Sequence, residues 1–383
     1  MSVTAAKGFV AGAVQSGIRK TDRLDLALLH SRVPATGAAM FTANRMQAAP
    51  VIVSREHLEL AQPQAVVANS GVANAATGEE GVAAARATAS AAAAKLGLEP
   101  QQVLILSTGV IGQPLPVDRV VAGISEIELD ADGGGAAAEA IMTTDTHAKQ
   151  SVAHGPGFIV GGLSKGSGMI HPCLATMLAV VTTDYPLDPG EAIEFLRPAV
   201  DASFNAISVD GECSTNDTVL LLANGASGAE RDDDAFAAAL RTVCGELAKQ
   251  IVADGEGATV LAEIAVRGAA STSEARAIAE RVATSPLVKT ALYGHDANWG
   301  RIAAAAGSAK HDGGFAALDP DRLSIVIDGV PVLVTGIPSG EEPALTNGHC
   351  SIELDLALGD GSASYLTSDL SYDYVRINAE YRS

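Results

Sequence analysis

The sequence predicts an α/β fold in which strand-rich layers pair and helices lie on the outside, and three observations support this prediction. Short apolar runs bounded by glycine, proline or polar residues recur along the chain, which is typical of strands. Longer alanine-rich or amphipathic segments lie between them, which indicates helices. Both kinds of segment occur in both halves of the 383-residue chain, so the layers are mixed.

The predicted elements follow in chain order. Strands are predicted at residues 9–10, 26–29, 39–41, 51–53, 65–68, 103–106, 157–162, 177–181, 260–266, 323–327 and 351–356, with a last one at 375–377. Helices are predicted at 79–96, 136–142, 189–204, 233–252 and 271–284. The first of these helices is closed by Gly97, a residue that readily adopts the conformation found just after a helix.

Composition restricts the class of protein. Hydrophobic residues make up 48% of the chain, which is enough for a sizeable core, and aromatic residues only 4%, so that core is mostly Ala, Val, Leu and Ile. The net charge of −20 argues against nucleic acid and against an anionic membrane surface, because both need a basic face. Neither a run of about 20 apolar residues nor a signal peptide is present, so no membrane span is expected.

The cysteines indicate the compartment. Cys173, Cys213, Cys244 and Cys350 form no C-x-x-C pair, and no His/Cys cluster has zinc spacing. Free thiols in a reducing cytosol are the simplest interpretation, which predicts a cytoplasmic protein. No metal site and no bound cofactor are predicted.

One stretch, residues 165–184, organises the rest of the chain. It reads K-G-S-G-M-I-H-P-C-L-A-T-M-L-A-V-V-T-T-D. Glycines beside Lys165 indicate a backbone packed close to a charged group. The apolar run at 177–181 favours a buried strand, which places Thr176 at its mouth. Taken alone, such a threonine is usually structural, because it is β-branched and its hydroxyl bonds the backbone.

Several motifs, taken together and in order, resemble the self-cleaving ornithine acetyltransferases of arginine biosynthesis, also called glutamate N-acetyltransferases. The motifs are K-G-S-G-M-I-H-P-C-L-A-T-M at 165–177, N-S-G-V-A-N-A-A-T-G at 69–78, S-T-G-V-I-G at 107–112, T-T-D-T at 143–146 and the polar segment 205–218. The family usually has Asn-Met before the Ala-Thr pair, where this chain has Cys173-Leu174. The resemblance extends from Gly8 to Ser383.

The resemblance implies that the chain cuts its own Ala175-Thr176 bond and that the freed Thr176 becomes the nucleophile. It implies an α chain of residues 1–175 and a β chain of residues 176–383, two of each, on an α/β fold shared with self-processing aminopeptidases. Thr108 and Gly109 would form the oxyanion hole. The new α-amine, with a pKa near 7.7–8.0, would serve as general base beside its own hydroxyl.

The same resemblance implies the reaction: the acetyl group passes from N-acetylornithine to glutamate through acetyl-Thr176, which gives ornithine and N-acetylglutamate. The residues expected at the substrate are Thr143, Lys165, Thr176, Glu256, Asn378 and Ser383. Lys165 could pair with a substrate carboxylate and Glu256 with a substrate ammonium. Whether acetyl-CoA also donates the acetyl group is left open by the sequence.

Two functions from other classes stay open. One is an amidase or aminopeptidase with an N-terminal threonine on the same fold, in which water replaces glutamate. The other is a non-catalytic amino-acid-binding protein with an uncut chain. The G-L-S-K-G at 162–166 matches a nucleophile elbow, but the glycines and proline that follow Ser164 make a poor helix start. No Walker loop is present.

Overall fold

The chain is described here by a computed structural model that covers residues 2–19, 22–171, 177–346 and 348–380. Within these ranges it divides into two compact units. The first holds residues up to 205 together with 212–251, and the second holds 206–211 together with 252–380. The predicted site residues Ala175, Thr176 and Ser383 lie outside the described residues. None of the described helices is long and apolar enough to cross a membrane.

The elements are numbered in chain order. The strands are β1 Phe9–Val14, β2 Leu26–Ser31, β3 Thr36–Phe41, β4 Ala65–Asn69, β5 Val103–Ser107, β6 Lys149–Gly155, β7 Phe158–Lys165, β8 Leu178–Thr183, β9 Ile207–Ser208, β10 Thr218–Ala223, β11 Val260–Ala269, β12 Lys310–His311, β13 Gly314–Phe315, β14 Ser324–Ile327, β15 Val330–Val334, β16 Ile337–Pro338, β17 Gly348–Asp355 and β18 Gly361–Ser368. The helices are α1 Ala49–Leu60, α2 Gly78–Leu96, α3 Val117–Glu126, α4 Gly134–Ala140, α5 Ala192–Asp201, α6 Asp233–Ala253, α7 Thr272–Ala283, α8 Pro286–Tyr293, α9 Trp299–Ala306 and α10 Tyr372–Glu380.

The first unit contains two sheets that share one apolar core. Their strand orders are β1-β2-β4-β5 and β3-β10-β8-β7-β6. Side chains alternate across β5: Leu104 and Leu106 enter the core between the sheets, whereas Val103 and Ile105 face the opposite side. The second sheet contributes residues such as Val180 and Leu220 to the same core. The two sheets therefore face each other, as the predicted paired layers require.

Helices cover the outer faces of both sheets. Buried alanines of α2 pack with Val103 and Ile105 on the outer side of the first sheet. On the second sheet, a side chain at Gly162 would meet Leu247 and Val243 of α6, so this helix lies directly against β7. The predicted α/β class, with layered strands and outer helices, is confirmed. The core is built mainly from Ala, Val, Leu and Ile, as composition indicated.

All the predicted helices and all but two of the predicted strands overlap observed ones. The bounds differ most for the helix predicted at 189–204, because α5 covers only Ala192–Asp201 and carries Pro198 in its interior. A proline inside a helix removes one backbone hydrogen bond, which weakens its continuation.

The strand predicted at 51–53 is wrong, because these residues lie in α1. Three consecutive β-branched residues favour a strand when read alone, but Pro50 occupies the first turn of the helix, where its fixed φ is favourable. Ser54 Oγ then donates to Ile105 O and accepts from Ile105 N, at 2.9 and 2.8 Å. This anchoring to β5 outweighs the local preference for a strand.

The strand predicted at 375–377 is also wrong, because α10 occupies Tyr372–Glu380. Bonds within the segment replace those that a neighbouring strand would supply. Ser371 Oγ accepts from the Tyr374 amide at the start of the helix, at 3.2 Å. Arg376 and Asp373 form an ion pair of 3.1 Å with the spacing that suits one helical turn.

The second unit is built on a seven-stranded sheet of order β16-β15-β14-β17-β11-β18-β9. Helices α7, α8 and α9 pack on it through a single apolar core that includes Ile264, Ile278 and Ile302. Strand β11 lies between β17, which runs parallel to it, and β18, which runs antiparallel. The loop before β11 carries Glu256, four residues before this strand begins.

Lys289 of α8 predicts a pH dependence of stability. Its Nζ is buried and donates to Thr367 Oγ1 at 3.0 Å and to Ser368 O. Burial lowers the pKa of Lys289 to about 8 from its usual 10.5. Between these values the unfolded chain holds a proton that the folded chain has lost, so the free energy of unfolding should rise with pH by up to about 3 kcal/mol. Below a pH of about 8 the burial of Lys289 destabilises the folded state by this full amount.

The check compares urea unfolding of the wild type and of Lys289→Met between pH 7.5 and 10.5. The wild type should gain stability relative to the variant as pH rises through this window. A constant difference between the two proteins would contradict the prediction.

Candidate active site

Lys165, the last residue of β7, lies buried with 3% of its surface exposed. Two buried carboxylates act on it electrostatically, those of Asp145 and Asp217. A lysine in such a place keeps its charge only if anions compensate for the lost water. The predicted substrate lysine is therefore part of a buried charge cluster in the first unit.

Asp145 joins two of the predicted substrate residues. Its Oδ2 accepts from the Thr143 amide at 2.8 Å, and its Oδ1 accepts from the Gly166 amide at 2.7 Å. The same Oδ1 forms an ion pair of 2.7 Å with Lys149, and both side chains are fully buried. Burial by itself would raise the pKa of Asp145, but Lys165, Lys149 and the hydrogen bonds outweigh it and hold the pKa far below its usual range.

Asp217 fixes the residue that follows the predicted nucleophile. Its Oδ1 accepts from the Met177 amide at 3.0 Å, and that nitrogen is covalently bonded to Thr176. In return the Thr218 amide donates to Met177 O at 3.2 Å, where β10 begins its parallel pairing with β8. Burial raises the pKa of Asp217 well above its usual range, although Met177, Ser214 and Lys165 act in the opposite direction.

Asn216 links this point to the predicted oxyanion hole. Its Nδ2 donates to Ser107 O at 2.9 Å and to Ala73 O at 2.6 Å. Ser107 in turn donates to Asn69 Oδ1 at 2.6 Å. The N-S-G-V motif and the S-T-G-V motif are therefore neighbours, and one amide side chain from the polar segment 205–218 holds both.

Thr108 and Gly109 form a tight turn at the end of β5. The Thr108 amide donates to Asn69 O at 3.0 Å and the Val110 amide donates to Gly71 O at 3.1 Å. The Gly109 amide between them has no acceptor among the residues that the structure describes. Gly109 has a φ of +131°, and a Cβ there would lie 2.3 Å from the Gly71 carbonyl carbon. Only glycine fits, and its amide is available to an anion.

Both backbone polar groups of Thr143 form hydrogen bonds. Besides the bond to Asp145, its carbonyl accepts from the Arg19 guanidinium at 3.2 Å. A Cβ at Gly71 would touch the Arg19 side chain at 2.6 Å, so the chain packs closely between Gly109 and Thr143. Four of the predicted site residues, Thr108, Gly109, Thr143 and Lys165, thus lie in the first unit and are linked by contacts through Gly71, Arg19 and Asp145.

Two further predicted residues, Glu256 and Asn378, lie together in the second unit. Asn378 Nδ2 donates to Glu256 Oε2 at 2.7 Å and to Tyr374 O at 3.0 Å. The helical form of α10 makes the second bond possible, because residues four apart are neighbours on a helix. Their roles at a substrate stay predictions.

The sequence reasoning did not single out Asp145, Lys149, Asn216 or Asp217. Asp145 lies inside T-T-D-T, and Asn216-Asp217 lie in the polar segment 205–218. Their position next to apolar strand sequences could have indicated buried carboxylates, and a buried carboxylate is rarely without a partner. Which partner each one takes depends on tertiary pairing.

Other candidate chemistry is not supported by the described residues. Ser164 lies inside β7 with none of its surface exposed, which rules out the exposed strand-to-helix turn of a nucleophile elbow. Within the described ranges, no three His, Cys, Asp or Glu side chains are grouped so that they could hold a metal ion.

Comparisons with known proteins identify the family. The sequence profile of the ArgJ family matches residues 10–383. The arginine biosynthesis bifunctional protein ArgJ of Geobacter sulfurreducens is 46% identical, with 98% of this chain and 99% of the relative covered.

Two solved structures are also similar over part of the chain. The ArgJ protein of Bacillus halodurans shares 40% identity with a TM-score of 0.43, covering 46% of this chain and 94% of that one. The ornithine acetyltransferase of Mycobacterium tuberculosis, solved with ornithine, shares 39% identity with a TM-score of 0.41, covering 45% and 94%. From the profile match and the full-length relatives it follows that the chain belongs to the ArgJ family of bifunctional arginine-biosynthesis proteins.

Proposed function

We propose that this chain transfers the acetyl group of N-acetylornithine to glutamate through an acetyl ester on Thr176, which self-cleavage of the Ala175-Thr176 bond sets free. Family membership supports the reaction. The observation that carries the residue assignment is the bond from the Met177 amide to Asp217. It fixes the neighbour of Thr176 in the same unit as the Gly109 amide and Lys165.

Self-cleavage supplies the general base. A threonine hydroxyl is a weak nucleophile until a base takes its proton. Cutting before Thr176 creates an α-amine on the same residue, and its ordinary pKa near 7.7–8.0 suits a base at cellular pH. One bond cleavage therefore provides both groups.

The transfer then takes two balanced steps. Thr176 Oγ attacks the acetyl carbonyl of N-acetylornithine, the C–N bond breaks, and ornithine leaves with the proton that the base had taken. The amine of glutamate attacks the ester, which restores the Thr176 hydroxyl and releases N-acetylglutamate. In each step the Gly109 amide and the Thr108 hydroxyl stabilise the oxyanion, an effect worth about 2.7–4 kcal/mol per donor.

Substrate recognition follows from charge. Both amino-acid substrates carry an α-carboxylate, for which the Lys165 ammonium is the natural partner. The ornithine side chain ends in an ammonium, which suits Glu256. Thr143, Asn378 and Ser383 supply polar contacts. We further propose two α and two β chains in the assembly, a cytoplasmic location, and acetyl-CoA as a second acetyl donor.

An amidase with the same nucleophile would share the first step and differ in the second, because water would take the acetyl group. Kinetics separate the two functions. With both substrates varied, we expect parallel lines in double-reciprocal plots, since the first product leaves before glutamate reacts. Mass spectrometry after mixing with N-acetylornithine alone should find one added acetyl group on the chain that begins at Thr176.

Two results would contradict the proposal. Intersecting lines without an acetylated chain would indicate direct transfer in a ternary complex. Acetate release that glutamate neither speeds nor diverts would indicate the amidase. Assays with acetyl-CoA in place of N-acetylornithine decide whether it is a donor.

A further inference from the structure

Asp145 is bonded to two residues near it in the chain, Thr143 and Lys149, and to one that is 21 residues away, Gly166. It accepts from the amides of Thr143 and Gly166 and from the ammonium of Lys149, all between 2.7 and 2.8 Å. It lies 21 residues before Gly166 in the chain, and that residue follows Lys165 directly. Its carboxylate therefore connects the backbone of Thr143 with the peptide group that follows Lys165.

The charge of Asp145 is also directed at Lys165. The pKa of Asp145 is held far below its usual range despite burial, and the charge of Lys165 makes the largest favourable contribution. The carboxylate is thus ionised, and its negative charge attracts the ammonium of the buried Lys165. Asp145 thus contributes both to the backbone position and to the electrostatic environment of Lys165.

We propose that Asp145 is a positioning residue that lets the site select ligands bearing an α-carboxylate. It does so by holding Lys165 charged and by fixing the Thr143 and Gly166 amides in one arrangement. This inference rests on the proposed function, in which Lys165 binds the substrate carboxylate. Asp145 itself contacts protein groups and no reacting atom.

Every residue of this arrangement lies in the first unit. A change at Asp145 should therefore weaken recognition of the carboxylate and leave the binding of a ligand without a carboxylate nearly unchanged. A loss confined to carboxylate recognition would indicate a positioning role, whereas a general loss of structure would weaken the binding of every ligand.

The test compares ornithine with putrescine, which is ornithine without its carboxylate. Isothermal titration calorimetry on the processed wild type should give tighter binding of ornithine, by about 10- to 100-fold, as a charge-assisted hydrogen bond contributes. In Asp145→Asn the affinity for ornithine should fall to that for putrescine. The affinity for putrescine itself should stay within about twofold.

Asp184→Asn is the matched control. Asp184 is buried, and it accepts from the amides of Lys7 and Ile159 at 3.0 and 2.8 Å, near the opposite end of β7 from Lys165. Its neutralisation should lower the melting temperature about as much as Asp145→Asn does, yet preserve the preference for ornithine. The double variant Asp145→Asn/Lys149→Met removes a buried pair together, so it is the one to use if the single variant fails to fold.

The outcomes separate this inference from the function on which it rests. A wild type that does not prefer ornithine would remove Lys165 from carboxylate binding, and with it that part of the proposed function. A wild type that prefers ornithine, together with Asp145 variants that keep the same preference, would overturn the role of Asp145 alone. Loss of the preference in Asp184→Asn would show that any buried carboxylate of this sheet has the same effect, which also overturns it.

Discussion

Thr176→Ala is expected to give a single uncut chain of 383 residues with no acetyl transfer, whereas the wild type should run as chains of 175 and 208 residues. Alanine has no hydroxyl, so it can neither attack the preceding peptide bond nor carry the acetyl group. The variant should therefore lack both the hydroxyl that attacks the acetyl group and the α-amine that cleavage would have created. A denaturing gel, N-terminal sequencing of the smaller products and an acetyl-transfer assay measure the three consequences.

Two further variants complete this experiment. Thr242→Ala removes an exposed threonine of α6 whose hydroxyl only donates to Ala238 O, so it should stay processed and active. Thr176→Ser keeps a hydroxyl and should be cut, though more slowly. A cleaved Thr176→Ala, or a second chain that begins at another residue, would end the self-cleavage hypothesis.

Gly109→Ala is expected to lower kcat by about 10²- to 10³-fold, the usual cost of losing one oxyanion donor. The new methyl group would lie 2.3 to 2.6 Å from the Gly71 carbonyl and the Val72 amide, so the turn after β5 must shift. The φ of +131° is also strained for any residue with a side chain. Since the displaced group is the amide without a described acceptor, the loss should affect kcat more than KM.

Gly245→Ala is the matched control for this change. Gly245 lies within α6, and a Cβ there would meet no atom within 4 Å. The variant should gain about 0.5–1 kcal/mol of stability, because alanine favours helix, and should keep wild-type kinetics. Unchanged kcat in Gly109→Ala with an intact melting temperature would exclude its amide from catalysis.

The sequence predicted the layered architecture because it is encoded locally, in the alternation of β5 and in the alanines of α2. It failed at 51–53, where the bonds from Ser54 to β5 decide for a helix. It failed again at 375–377, where Ser371 and the Arg376–Asp373 pair close a helix within the segment itself. At 51–53 the deciding bonds come from a strand 51 residues away, whereas at 375–377 they are local and outweigh the β-branched Val375 and Ile377.

The site was predicted through motifs, and the same limit applies to it. The motifs contained the predicted site residues Thr108, Gly109, Thr143 and Lys165, which all lie in the first unit. Asp145 and Asp217 hold the backbone of these segments. In the sequence they are acidic residues within polar segments, and nothing beside them indicates their hydrogen-bond partners. Their partners are the Gly166 and Met177 amides, 21 and 40 residues away in the chain, and only the folded sheet places them in contact.

The strand order β3-β10-β8-β7-β6 has a consequence for how such a protein can be made. The proposed cut would leave β3, β6 and β7 on one product and β8 and β10 on the other, with the central pair of the second product inserted between strands of the first. Each interface consists of six paired residues on either side. Synthesised separately, both products would expose unpaired strand edges, which favour aggregation. Translation as one polypeptide delivers them in equal number and at the high effective concentration of a tethered pair. If the proposed cut follows folding, the Ala175-Thr176 bond would hold the two parts together until β8 and β10 have been inserted between β3 and β7.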